Sequence, residues 1–187
     1  MARNKKYVEE EVIEKAMTLF WKKGYETTSM QELESQMGIN KFSIYASFGN
    51  KNGVFLESLK CYKQQLNRIL ANLKASDKGL LGIKQYFYDF LEFSKEDNNW
   101  RGCLITNTAM ELGDRVEPVV KEVLVGFMDD VKSTFAEALA KKGDIDEASV
   151  EEQADYLMVA MFGLASASKA FSQSQLHSYI EQTFKKV

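Results

Sequence analysis

The chain has 187 residues, 45% of them hydrophobic, and a formal net charge of −3. That is ample apolar material for a core, while two cysteines are too few for a disulfide framework. No window approaches the roughly 18 apolar residues of a membrane span and the basic N-terminus has no apolar signal core, so a reduced cytoplasmic protein without membrane contact is expected.

One proline and an abundance of Glu, Lys, Ala, Leu, Met and Gln favour helices. Few runs alternate as strands do, so an all-α chain of about nine helices is expected. Residues 1–6 form a short basic arm with Arg3, Asn4, Lys5 and Lys6. A first helix over about residues 8–23 places Ile13, Ala16, Met17, Phe20 and Trp21 at helical spacing. Glu9, Glu10 and Glu11 open it and Lys22 and Lys23 close it, as the helix dipole favours, before Gly24 stops it.

Ser29 with Glu32 three residues on has the spacing of a capping box, and it opens a second helix with Met30, Leu33 and Met37 inside. Gly38 makes a turn, Ile39 plugs the core, and Asn40 is a good cap for a third helix over residues 41–48. Ile44 and Phe48 point inward there. Lys41, Phe42, Ser43, Tyr45, Ala46 and Ser47 are left outside or at the rim. Two short helices around a tight turn, the second showing polar and aromatic residues outward, have the layout of a helix that enters the DNA major groove. The charge supports this only weakly: residues 1–51 hold eight Lys/Arg and seven Asp/Glu, leaving +1 there and −4 in the remainder.

After Gly49-Asn50 a long fourth helix, residues 51–73, links this head (1–50) to a helical body (51–187), with a polar turn at 74–79. Its stripe runs through Val54, Phe55, Leu59, Tyr62, Leu66 and Leu70. An aromatic-rich helix follows over residues 80–94, then a loop with Asp97-Asn98-Asn99. A short helix spans 104–112 and ends at Gly113-Asp114. The next has Pro118 in its first turn and runs to about Lys142, before Gly143. Ser149 with Glu152 reads as a second capping box, opening a helix to about residue 172. A last helix over about 174–185 sets Leu176, Tyr179, Ile180 and Phe184 on one side.

Phe20-Trp21-Lys22-Lys23-Gly24-Tyr25, Thr28-Ser29-Met30, Glu32-Leu33, Gly38-Ile39-Asn40, Ser43-Ile44-Tyr45, Phe48 and Lys51 together form a pattern at fixed spacing. It resembles the DNA-binding domain of the TetR family of bacterial repressors. The segment Arg101-Gly102-Cys103-Leu104-Ile105-Thr106-Asn107-Thr108-Ala109-Met110-Glu111-Leu112 resembles one subgroup of that family, so the likeness reaches about residue 112. It implies a three-helix helix-turn-helix head on a ligand-binding and dimerisation body. It implies a homodimeric repressor released from a near-palindromic double-stranded DNA operator by a small hydrophobic or aromatic inducer, or by an electrophile or oxidant. By similarity Thr28, Ser29, Tyr45, Ser47 and Lys51 hold phosphates, and Lys41, Phe42 and Ser43 approach base edges. Lys51 opens a helix against the dipole preference, so an anion is expected beside it. Two positions depart from the family pattern: Glu34 stands where a small apolar residue is usual, and Phe42 where a glycine or small residue is.

In the body, Phe87, Phe90, Met128, Met158 and Phe162 read either as core or as the wall of an apolar pocket. Cys103, Asn107, Met110 and Glu111 would join that pocket, with Asn107 and Glu111 among its polar groups. Cys103, near a helix start and Arg101, is either a reactive thiol or a small buried residue. Cys61 reads as inert. The last two helices resemble the family's dimer surface, with Gly163, Ala165, Ser166 and Ala167 allowing close approach, and Leu176, Tyr179, Ile180 and Phe184 as anchors. His177 is the one histidine, so no metal site is expected. No cofactor motif or catalytic constellation is present, and no enzyme is expected. The competing reading is a helical small-molecule-binding protein that does not act through DNA.

Overall fold

The computed structural model describes residues 7–96, 99–141 and 146–185. The basic arm at 1–6, Asp97-Asn98 and the expected stop at Lys142 and Gly143 lie outside them. The described residues form nine α-helices: α1 (Glu9–Lys23), α2 (Met30–Met37), α3 (Lys41–Phe48), α4 (Lys51–Lys74), α5 (Leu80–Phe93), α6 (Leu104–Leu112), α7 (Pro118–Ala140), α8 (Glu147–Ala167) and α9 (Gln173–Thr183). The segment expected to be plain loop carries a two-residue antiparallel pair, β1 (Lys95–Glu96) and β2 (Asn99–Trp100), with Lys95 opposite Trp100. Arg101 then donates its N–H to the Ser94 carbonyl at 2.9 Å, which brings the chain back to the end of α5.

Local chemistry sets most helix ends. Ser29 accepts the Glu32 N–H at 3.2 Å and Glu32 accepts the Ser29 N–H at 2.8 Å, which completes the capping box. Lys23 and Ser29, both hydrogen-bonded to Glu32, lower its carboxyl to about 2. Asn40 and Asn50 cap α3 and α4 by accepting the N–H groups of Ser43 and Gly53. Pro118 opens α7. The start of α8 differs from expectation. Asp146 is the cap, its carboxylate accepting both the N–H and the hydroxyl of Ser149, so the helix begins earlier and Ser149 sits in its first turn. Its end differs too. Ala170 and Phe171 both donate to the Ala167 carbonyl, a turn closes the helix at Ala167, and Ser172 with Gln175 caps α9. Beyond α6, Gly113–Arg115 continues as one 3-10 turn.

α4 has 24 residues, which at about 1.5 Å each makes a rod of about 36 Å. It packs against α1 in the head and against α5 and α7 in the body. One apolar cluster runs without a gap from Val12 and Phe20 through Phe55, Tyr62 and Phe90 to Leu164 and Ile180. Within it Phe20 meets Phe55 edge-on and Tyr25 tilts against it, with centroids 4.9 and 4.7 Å away. Trp21 meets Tyr62 at 5.0 Å and Phe93 of α5 at 5.4 Å. α9 is fastened to α5 by Phe184 on Phe87 and by Glu181, which accepts from Lys84 and from the Tyr88 hydroxyl.

The α3–α4 corner is the tightest joint. A methyl group at Gly53 would lie 1.8 Å from the Phe48 carbonyl oxygen. Gly53→Ala therefore forces α3 off α4 and is expected to destabilise the protein by at least about 1–3 kcal/mol, read as a lowered urea midpoint.

Candidate nucleic-acid interface and internal cavity

α3 shows two faces. Ile44 is fully buried beneath it, while Phe42 is 77% exposed and Tyr45 and Lys41 also stand in solvent. The Lys41 ammonium lies 5.7 Å from the Tyr45 ring centre, so charge and ring share one patch. Ser43 and Ser47 are partly covered, and Ser47 shares a 2.7 Å hydrogen bond with the Tyr7 hydroxyl. Glu34, out of pattern for its position, has a partner: its carboxylate accepts the Lys41 N–H at 2.9 Å. That charge occupies one of the donors at the start of α3 and complements the dipole there.

Two residues grouped with this surface by sequence sit elsewhere. Thr28 is 1% exposed and donates its hydroxyl to the Gly24 carbonyl at 2.6 Å, so it braces the α1–α2 turn from inside. Ser29 remains exposed as the α2 cap. Lys51 folds onto the α1–α2 turn. Its ammonium lies 3.3 Å from the Glu26 carbonyl oxygen and 4.5 Å from the Tyr25 ring centre. Burial lowers its pKa, and Glu111, Glu26 and Glu32 oppose that shift.

Glu111 itself is at this joint. Its two carboxylate oxygens accept the N–H groups of Tyr25 and Glu26 at 2.9 and 2.8 Å. Arg115 pairs with the Glu26 carboxylate and donates to the Glu111 carbonyl. At the other end of α6, the Trp21 indole N–H donates to the Gly102 carbonyl at 3.1 Å, and the Arg101 guanidinium lies 5.2 Å from the Trp21 ring centre.

The body encloses a cavity of about 30 Å³ lined by Phe90, Cys103, Met128, Met158 and Phe162, together with Tyr86, Thr106 and Met161. The sequence grouped the first five; the spacing of Tyr86 on α5 could have added it. Four other expected wall residues are not in it, though Asn107, Met110 and Glu111 line a separate cleft of about 430 Å³ beside Trp21 and Lys169. Phe87 packs on Phe135 and Phe184 in the core. Asn107 donates to the Arg101 carbonyl, Met110 is exposed, and Glu111 holds the head. Cys103 is buried and Cys61 half-buried, the latter's thiol pushed up by burial and then by Glu14. The Tyr62 hydroxyl, beside Cys103, is buried without a well-formed hydrogen bond. Among the described residues no group of His, Cys, Asp and Glu has the arrangement of a metal site, and no helix is long and apolar enough to cross a membrane.

Residues 12–58 match the family model of bacterial regulatory proteins of the tetR family, and residues 79–184 match that of tetracyclin repressor-like C-terminal domains. The chain belongs to the TetR family of bacterial regulatory proteins. It is a DNA-binding transcriptional regulator with a repressor-type body. It is 24% identical over 178 residues to the biofilm operon icaADBC negative transcriptional regulator IcaR of Staphylococcus aureus, covering 94% of this chain and 90% of that one. It is 31% identical over 112 residues to the HTH-type transcriptional regulator YezE of Bacillus subtilis; that match spans 59% of this chain and 58% of YezE. Its structure superposes on a cysteine-substituted form of the TetR family regulator CifR bound to a 26-bp operator duplex, with a TM-score of 0.85, 26% identity and 98% of each chain covered.

In this TetR chain the expected dimer residues divide. Leu176 and Ile180 are buried within their own subunit and so offer nothing outward. Gly163 faces Tyr179 of the same chain, whose hydroxyl donates to the Ala160 carbonyl at 3.0 Å. Ala167 and Phe184 are half-buried, and Tyr179 is partly exposed. The outward apolar stripe of α8 is instead Tyr156 and Val159, continued by Phe162, Gly163 and Ser166, with Phe171 just beyond the helix. The sequence hid it because α8 is apolar on most sides, so periodicity alone does not say which face is inner.

Tyr62→Phe removes one unmatched buried hydroxyl and is expected to leave stability unchanged or raise it by up to about 1–2 kcal/mol. Phe90→Ala opens the cavity wall and is expected to lose about 3–5 kcal/mol. Urea denaturation of both variants checks the contrast.

Proposed function

We propose that the outer face of α3 reads a near-palindromic operator and that the protein represses transcription from it, as a homodimer in the cytoplasm with no catalytic role. The observation that carries this is the pairing of a fully buried Ile44 with an exposed Lys41, Phe42 and Tyr45 on the same eight-residue helix. Lys41, Phe42 and Ser43 approach base edges, with Phe42 suited to a thymine methyl. Ser29, Tyr45 and Ser47 contact phosphates, which fix register and carry no sequence information. Lys51 reaches a phosphate only by leaving the Glu26 carbonyl. Thr28 serves the surface indirectly, by holding the turn before α2.

A second copy covers the α8 stripe, which places two α3 helices on one face of DNA, about one helical turn of roughly 34–36 Å apart. The inducer is a small hydrophobic or aromatic molecule in the cavity of the body. At about 30 Å³ that cavity has room for only a water or two, far less than the roughly 300 Å³ or more of a ligand site. Filling it requires Met128, Met158, Met161 and Phe162 to move, and flexible methionines suit such a site. A ligand that favours the widened body shifts the population away from the DNA-bound spacing.

Electrophoretic shifts on the DNA upstream of the protein's own gene, at several salt concentrations, test the reading. Tyr45→Ala is expected to weaken binding by a similar factor on all sequences, roughly tenfold. Phe42→Ala is expected to change which sequence is preferred and to leave thermal stability unaltered. No salt-dependent binding by the parent protein leaves a small-molecule-binding protein that does not act through DNA. Val159→Glu is expected to convert dimer to monomer in analytical ultracentrifugation, and a variant that stays dimeric moves the interface off α8.

A further inference from the structure

We propose that Glu111 is a positioning residue that sets the angle of the DNA-reading head on the body, and so the operator spacing the dimer accepts. This rests on the reading of α3 as the DNA surface. Both oxygens of the Glu111 carboxylate are used on the backbone of the α1–α2 turn, at 2.9 Å from the Tyr25 nitrogen and 2.8 Å from the Glu26 nitrogen. The turn is shaped to receive it. Gly24 has φ +88°, and a methyl group there would stand 2.7–2.9 Å from the carboxylate atoms. Arg115 ties the same turn through the Glu26 carboxylate while donating to the Glu111 carbonyl.

The contact matters because of where α6 lies. Cys103, Ile105 and Thr106, at its beginning, line the cavity, and Glu111, near its end, holds the head. The turn held by Glu111 leads directly into α2, which packs on α3. Without the carboxylate, the head keeps its covalent link through α4 and its aromatic packing at Trp21, and it gains freedom to pivot about the end of α1. In a symmetric pair such a pivot acts twice on the separation of the α3 helices. A shift of one base-pair rise, about 3.4 Å, is enough to change which half-site spacing fits.

Glu111→Ala and the isosteric Glu111→Gln in the full-length protein test this, with duplexes enriched by the unaltered protein from a random pool. The duplexes are rebuilt with one or two base pairs inserted between the half-sites. The unaltered protein is expected to lose about tenfold or more in affinity per inserted pair. Glu111→Ala is expected to lose most of that discrimination while binding a single half-site as before, and Glu111→Gln, which keeps one acceptor, is expected to fall between. Amide hydrogen exchange on DNA-free protein reads the contact itself: the Tyr25 and Glu26 amides are expected to exchange about tenfold or more faster in Glu111→Ala, with α7 core amides unchanged. Equal exchange in variant and parent overturns the contact. Faster exchange with spacing discrimination intact overturns the positioning role. A parent protein that enriches no duplex overturns the DNA reading, and with it this role, even where the exchange result holds.

Discussion

The packing of Trp21 between Tyr62 and Phe93 decides how this molecule is put together. Trp21 belongs to the first helix of the head, Tyr62 to the long connecting rod, and Phe93 to the body. Three large rings from three parts of the chain, in edge and offset contact, exclude water from the junction. The indole N–H finds the Gly102 carbonyl, so the joint is satisfied in its polar part as well. With Phe20, Tyr25 and Phe55 continuing the seam, head and body share one core. The consequence is mechanical. Any turn of the head must pivot about this packed joint, and Glu111 and Arg115 hold the head off that axis.

The body makes the complementary point. Its cavity is small and apolar, with three methionines in its wall. Tyr62 leaves a hydroxyl unmatched beside Cys103. Burial pushes up the phenol of Tyr86, which lines the cavity. Close-packed interiors respond to volume change by moving between discrete packings and not by gradual stretching. The cavity is walled by the first residues of α6, and α6 touches the head at both ends, so a ligand that widened it as proposed would act on the head through α6.

Much of the head was legible because its determinants are local. The Ser29–Glu32 box, the Asn40 and Asn50 caps and the stop at Gly24 act within a few residues, and their spacing is visible in the chain. The oddity of Glu34 was legible, but not that its carboxylate accepts the Lys41 N–H. Glu111 lines a cleft with Asn107 and Met110, but its hold on the Tyr25 and Glu26 N–H groups, 86 and 85 residues away, leaves no trace in a sequence. Leu176 and Ile180 were given to the dimer surface because an amphipathic helix announces an apolar face without saying what covers it. Asp146 displaced Ser149 as the cap of α8 because both residues satisfy the same local rule, and three-dimensional placement chose between them.

Phe42 is 77% exposed among the described residues. Its backbone is fixed by Asn40, Glu34 and the burial of Ile44, while its ring extends into water. Packing therefore imposes little penalty on other side chains at that point. If α3 reads the operator as proposed, descendants of this gene can exchange the residue, and with it the genes they silence, without a compensating change in the scaffold.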